Sequence, residues 1–256
     1  STLEPAQQRI VEAAIRDAEL SGVGLSGEVK EQFNQIQQEL AELSTKFSNH
    51  VLDATKAFKL ILSSPADIAG LPSTLLALAA QAAQSEGHET ATAEEGPWCI
   101  TLDAPSFVPF LQHSQRRDLR EKVYRASITR ASSGDLDNQP IIERTLELRQ
   151  QVARILGYDT YASLSMARKM APSVEAVEQL MEELRCASYA AAQRELNELT
   201  AFARERGATE DLKQWDIPFW SERMREEQYG LNDEELRPYF PLPQVLEGLF
   251  TVANRL

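Results

Sequence analysis

The strongest constraint in this chain is a run of apolar residues spaced three and four apart: Phe33, Ile36, Leu40, Leu43, Phe47, Val51, Ala54 and Phe58. Alternating steps of three and four keep one face of an α-helix apolar for turn after turn. That is the seam of a helix lying along a partner helix. The spacing predicts one long helix from a cap at Ser26 to about Leu62. Before it, Pro5 suits the first turn of a helix ending near Leu20. Ser21-Gly22-Val23-Gly24 breaks the chain between the two. Residues 1–62 are therefore expected to form a helical hairpin arm of coiled-coil type.

Helical periodicity continues beyond the arm. Helices are expected from Thr74 to Ser85 behind a Ser73 cap, over 105–113 and 115–131, and from Pro140 to a stop at Gly157. Two more are expected over 159–171 and from Ser173 to about Arg206. Trp98-Cys99-Ile100-Thr101-Leu102 reads as a strand, after a polar loop from Glu86 to Pro97. Trp215 to Trp220 reads as strand or turn. Asn232 with Glu235 three residues on resembles a capping box, and Leu236 to Pro241 breaks regular structure. Leu242, Val245, Leu246, Leu249, Phe250, Ala253 and Leu256 then return to helical spacing. That helix has no stop signal, and the chain opens on Ser1 with no methionine, so a longer native polypeptide is expected. The fold class is mainly α, with at most a few short strands: an arm (1–62) and a helical domain (63–256).

Charge narrows the partners. Acidic residues outnumber basic ones, 39 to 26, for a net charge of −13. Nucleic acid and anionic membrane surfaces are poor partners, because both need a basic face. No apolar run approaches the roughly 18 residues of a membrane-spanning helix. Two cysteines, Cys99 and Cys186, make no disulfide framework and fit a reducing compartment.

Catalytic apparatus is not visible. A zinc peptidase helix needs two histidines four residues apart, with a glutamate between them to work on metal-bound water. The three histidines, His50, His88 and His113, fall in different predicted elements and none has a partner at that spacing. There is no Gly-x-Ser-x-Gly elbow. Cys99 and Cys186 read as small hydrophobes. Gly22-Val23-Gly24-x-x-Gly27 matches a dinucleotide glycine pattern but follows a helix, where that motif follows a strand. It reads as an interhelical turn. The clustered acids Glu94-Glu95, Glu182-Glu183 and Asp233-Glu234-Glu235 read as solvated faces and helix starts. No catalytic residue and no metal ligand is assigned.

Several segments, in order, resemble the oligopeptidase A and thimet oligopeptidase family of zinc metallopeptidases. They are Lys46-Phe47-Ser48-Asn49-His50-Val51-Leu52-Asp53-Ala54-Thr55, then Leu119-Arg120-Glu121-Lys122-Val123-Tyr124-Arg125-Ala126, then Leu156-Gly157-Tyr158-x-x-Tyr161-Ala162 and Lys169-Met170-Ala171. Arg130-Ala131-Ser132, Asp137-Asn138 and Leu146-x-Leu148-Arg149 lie between the second and third of these, and Trp215-Asp216-Ile217 and Leu236-Arg237-Pro238-Tyr239-Phe240-Pro241 complete the set. The resemblance is greatest to plant members, organellar or cytosolic.

The resemblance implies a larger two-domain, zincin-like peptidase that encloses a cleft and cleaves short unstructured peptides. In that family zinc polarises the carbonyl and activates water while a glutamate shuttles the proton. The resemblance places the zinc ligands beyond Leu256, so the metal and the catalytic part are expected outside this chain, and the chain alone is expected to be inactive. Compartment follows the same resemblance: chloroplast, mitochondrion or cytosol. Trp215, Tyr229 and Tyr239 are the candidates for positions near the substrate cleft, with core aromatics as the competing reading. The rival function is a stand-alone helical interaction module that uses the heptad arm.

Overall fold

Eleven α-helices and two short strands make up the main regular structure of residues 3–230 and 233–256, which the computed structural model describes. The mainly α expectation is met. The chain groups into two compact units, Ser1–Ala54 with Arg130–Ala192, and Thr55–Thr129 with Gln193–Leu256. These units are not consecutive in sequence; two of their three borders fall inside long helices, and the third follows Thr129.

In the first unit, α1 (Pro5–Leu20) opens with proline in its first turn. A reciprocal cap forms between Glu4 and Gln7, the Glu4 N–H donating to Gln7 Oε1 at 3.1 Å. α2 (Gly27–Ala57) carries the heptad residues from Phe33 to Ala54, and Phe58 falls just beyond its end. Its Phe33 and Ile36 are buried against Leu148, Val152 and Ala153 of α6 (Gln139–Ile155) and Leu164 of α7 (Tyr161–Met166), with Leu40 and Leu43 packed at the edge. The long helix thus packs on a partner helix. Each large apolar side chain buried there contributes on the order of 1.5–3 kcal/mol. The Arg144 guanidinium holds the register by donating to both oxygens of Glu39, at 2.6 and 2.9 Å.

Two expected helices end early. α2 stops at Ala57, not Leu62, because Leu60–Leu62 leaves as strand β1. In β1 the outer residues are buried and Ile61 is exposed, the two-residue alternation of a pleated strand that a helix cannot satisfy. α7 covers only Tyr161–Met166 of the predicted 159–171.

In the second unit β1 pairs antiparallel with β2 (Trp98–Ile100), Leu60 opposite Ile100 and Leu62 opposite Trp98. α3 (Ser73–Ser85) lies on this ribbon through Leu75, Ala79, Ala80 and Ala83, where small alanines let the backbones approach. Phe110 of α4 (Ala104–His113) and Val123 of α5 (Arg117–Ile128) close the core. α8 (Val174–Glu205) starts in the first unit behind Ser173, whose Oγ accepts from the Ala176 N–H at 3.2 Å, and runs on into the second. Trp215 to Trp220 resolves as neither strand nor a lone turn. Ile217 starts α9 (Ile217–Tyr229), with Pro218 in its first turn and Gly230, at φ +60°, as its stop. α10 (Asp233–Leu236), a 3-10 turn at Arg237–Tyr239 and α11 (Leu242–Ala253) follow. The Asn232 cap lies outside the described residues. None of the helices is long and apolar enough to cross a membrane.

The glycine pattern at 22–27 serves the α1–α2 turn. Gly22 has φ +79°, and a Cβ there would lie 2.8 Å from the Phe33 ring; at Gly24 a Cβ would meet nothing within 4 Å. Gly22→Ala is expected to destabilise by about 1–3 kcal/mol, from the left-handed backbone and the displaced Phe33. Gly24→Ala should be neutral or slightly stabilising. Urea unfolding of the pair checks this; equal effects would contradict it.

Candidate functional site

The second unit contains a buried charge cluster that joins two distant segments. Arg120 projects from α5 into the interior, where its side chain is 3% exposed, and meets Asp216, 2% exposed, at the foot of α9. Arg120 Nη2 donates to Asp216 Oδ1 at 2.8 Å, its Nε to the Trp215 carbonyl at 3.1 Å and its Nη1 to the Ser114 carbonyl at 2.7 Å. Arg117, one turn earlier, donates to Asp216 from Nε (3.1 Å to each oxygen) and Nη2 (2.9 Å), and reaches Glu210 with Nη1. The Lys213 N–H adds a further donor to Asp216 Oδ2 at 3.0 Å. Burial alone would raise the Asp216 pKa. Donation from Arg117, the Lys213 backbone and Arg120 outweighs it and holds the carboxyl below its usual value. Burial draws the Arg120 pKa down, yet a guanidinium stays charged at any physiological pH.

An arginine–aromatic surface lies beside this cluster. Arg120 Cζ lies 4.2 Å from the Phe219 ring centre, and Arg223 covers the same ring at 4.5 Å. Phe219 meets Trp220 edge to face at 5.1 Å, Trp220 meets Phe202 at 6.4 Å, and Arg206 lies 3.6 Å over Phe202. Such stacks fix ring orientation and are each worth about 0.5–1.5 kcal/mol. A small hollow of about 210 Å³ opens next to them, lined by Arg117, Arg120, Phe219, Trp220 and the 207–212 loop.

The three aromatic candidates are not gathered into one place. Trp215 is buried, its ring 5.8 Å from Tyr124 and 5.0 Å from the Arg125 guanidinium, and its Nε1–H has no hydrogen-bond partner among the described residues. Tyr229 is exposed at the last turn of α9, and Tyr239 at the 3-10 turn before α11. No ring contact links any two of them among the described residues. Phe219, Trp220 and Phe202 were missed by sequence reasoning. A helical reading of 217–229 would have found the first two, since it puts Phe219 and Trp220 in one turn with Arg223.

Neither cysteine is placed as a nucleophile. Cys99 is buried and burial pushes its thiol up, which leaves little thiolate. Cys186 is exposed on α8, its Sγ 3.3 Å from Glu182 Oε1. Among the described residues no three His, Cys, Asp or Glu side chains come together as a metal-binding group.

The described residues form a mainly helical segment whose helices are clamped by buried arginine contacts. The pattern of Peptidase family M3 matches residues 110–256, and that of the neurolysin/thimet oligopeptidase N-terminal domain matches residues 1–30. The chain is 54% identical to organellar oligopeptidase A, chloroplastic/mitochondrial, of Arabidopsis thaliana, covering all of this chain and 32% of that protein. It is also 54% identical to the probable cytosolic oligopeptidase A of Arabidopsis thaliana (all of this chain, 37% of that protein) and 40% identical to oligopeptidase A of Salmonella typhimurium (all and 37%). The chain belongs to peptidase family M3. It spans about a third of the length of these relatives.

The cluster gives two expectations. Arg120→Ala should destabilise by about 3–5 kcal/mol, because Asp216 and two carbonyls lose their buried donor. Arg117→Ala should cost less, since Arg117 is partly exposed. Chemical unfolding monitored by tryptophan fluorescence checks the order. In acid, a carboxyl with a depressed folded pKa contributes stability above its unfolded value, near 4, and loses it as pH falls through the folded value. Stability should therefore drop below about pH 4, and Asp216→Asn should be less stable at neutral pH with a flatter acid limb. Parallel pH profiles for the two proteins would contradict this.

Proposed function

We propose that this chain is the scaffold part of a zinc-dependent oligopeptidase that hydrolyses short unstructured peptides, such as degraded targeting or signal peptides, in an enclosed cleft. The observation that carries the reading is the match to the plant oligopeptidases A over the whole chain. The zinc and the catalytic part belong to polypeptide outside residues 1–256. Alone, the chain is inactive. The working compartment is a chloroplast, a mitochondrion or the cytosol, following the names of the two plant relatives.

The chain's contribution is shape. Residues 1–62 act as an arm and 63–256 as one wall of the cleft. Tyr229 and Tyr239, both exposed, contact peptide near that wall, and Trp215 positions α9 from beneath. α11 supports the need for a catalytic partner. Leu242, Val245, Leu246, Leu249, Phe250 and Val252 are all exposed and the helix buries none of its residues. An apolar face of this kind in water is a docking surface, and the catalytic part of the same protein covers it.

Purified 1–256 is expected to bind no stoichiometric zinc and to cleave no fluorogenic peptide. A chimera in which 1–256 replaces the matched third of the cytosolic Arabidopsis relative should show chelator-sensitive turnover. In that chimera Tyr239→Ala should raise KM about 3–10-fold with little change in kcat. One tightly held zinc per isolated chain, or a folded chimera without turnover, would overturn the reading.

A further inference from the structure

The first unit carries an open groove of mixed polar and apolar lining that its own side chains do not fill. Two adjoining hollows, of about 510 and 400 Å³, share Leu40 and Tyr161 and run beside α2 between α6 and α7. Phe33 lines one and Phe47 the other, which on a straight helix are about 21 Å apart. That is room for roughly four turns of a second helix. Leu146 on the wall is 59% exposed. Two cations stand on the rim without an ion pair among the described residues: Arg149, stacked 5.0 Å over Tyr161, and Lys169.

The groove is continuous with a second unfilled surface. Leu20 and Ser21, at the end of α1, line its first hollow, and Arg168 on the same wall pairs with Asp17 at 3.1 Å. α1 itself buries none of its residues, and Ile10, Val11 and Ile15 are exposed along it. A lone amphipathic helix of 16 residues is marginal in water. Something must cover it.

We infer that the groove along α2, α6 and α7, together with the apolar stripe of α1, is the seat of further N-terminal-domain polypeptide, distinct from the catalytic part that covers α11. The N-terminal-domain pattern of the neurolysin/thimet type matches only residues 1–30. Thirty residues cannot hold a core of their own, and here they bury little beyond Gly22. Relatives have about two thirds of their length outside the matched stretch. The occupant is helical, presents apolar residues at three- and four-residue spacing, and carries carboxylates opposite Arg149 and Lys169. The inference takes its occupant from the family reading above, but its test reads binding and not turnover.

Two polypeptides from the organellar Arabidopsis relative serve as probes: the part of its N-terminal domain outside the matched stretch, and the rest of its peptidase part. The first should bind 1–256 and protect amides of α1, α2, α6 and α7 from hydrogen exchange. Ile10→Asp with Ile15→Asp, and separately Leu146→Asp, all at exposed positions, should weaken it at least about tenfold. Leu249→Asp on α11 should leave it unchanged. Circular dichroism of each variant controls for folding. The inference fails if the first probe does not bind at about 100 μM, or if its binding ignores the groove substitutions. It fails equally if the peptidase part, or a second copy of this chain, protects the groove instead. Failure of the oligopeptidase reading would show separately, in a chimera without turnover.

Discussion

Asp216 is the point on which the second unit turns. One carboxylate accepts from Arg117, Arg120 and the Lys213 backbone, and so ties α5 to the start of α9 across almost a hundred residues of sequence. Removing two charges from water costs several kcal/mol each unless every polar atom finds a partner. Here Arg120 also satisfies the carbonyls of Ser114 and Trp215. The arrangement is expensive to form and therefore geometrically demanding. A shift of α9 by a residue would strand a buried guanidinium.

That demand explains how the surface above it is arranged. Arg120 uses its edges for hydrogen bonds and its face for Phe219. Phe219 orients Trp220, which faces Phe202 on α8. A polar cluster inside thus fixes an aromatic–arginine surface outside. Side chains locked from below lose little rotamer entropy on contact with a partner.

Much of this was legible in the sequence where periodicity is strong. The heptad residues Phe33, Ile36, Leu40 and Leu43 marked both the long helix and the face that meets α6. The strand at Trp98 was visible because β-preferring residues lay between proline-containing segments. Leu60–Leu62 was hidden because its spacing continues the helical pattern, and only pairing with residues nearly forty positions away makes it a strand. The segments around Arg120 and Asp216 were each visible as resemblance. Their contact was not, since no local rule says which arginine of Arg116, Arg117 and Arg120 turns inward. Nor could aromatic identity separate the buried Trp215 from the exposed Tyr229 and Tyr239.

The unburied apolar faces carry the last step. A chain with net charge −13 has ample means to stay soluble by charge alone, so nothing in solubility requires it to leave whole helical faces uncovered. The first unit exposes apolar residues along α1 and in the α2 groove, and the second exposes them along α11. Each residue so placed forfeits the burial free energy that its spacing prepares for, on the order of 1.5–3 kcal/mol per large side chain. Helical patterning without burial marks an interface. Faces on separate units are most simply met by separate covering segments, and this fits a chain that spans only a third of its relatives.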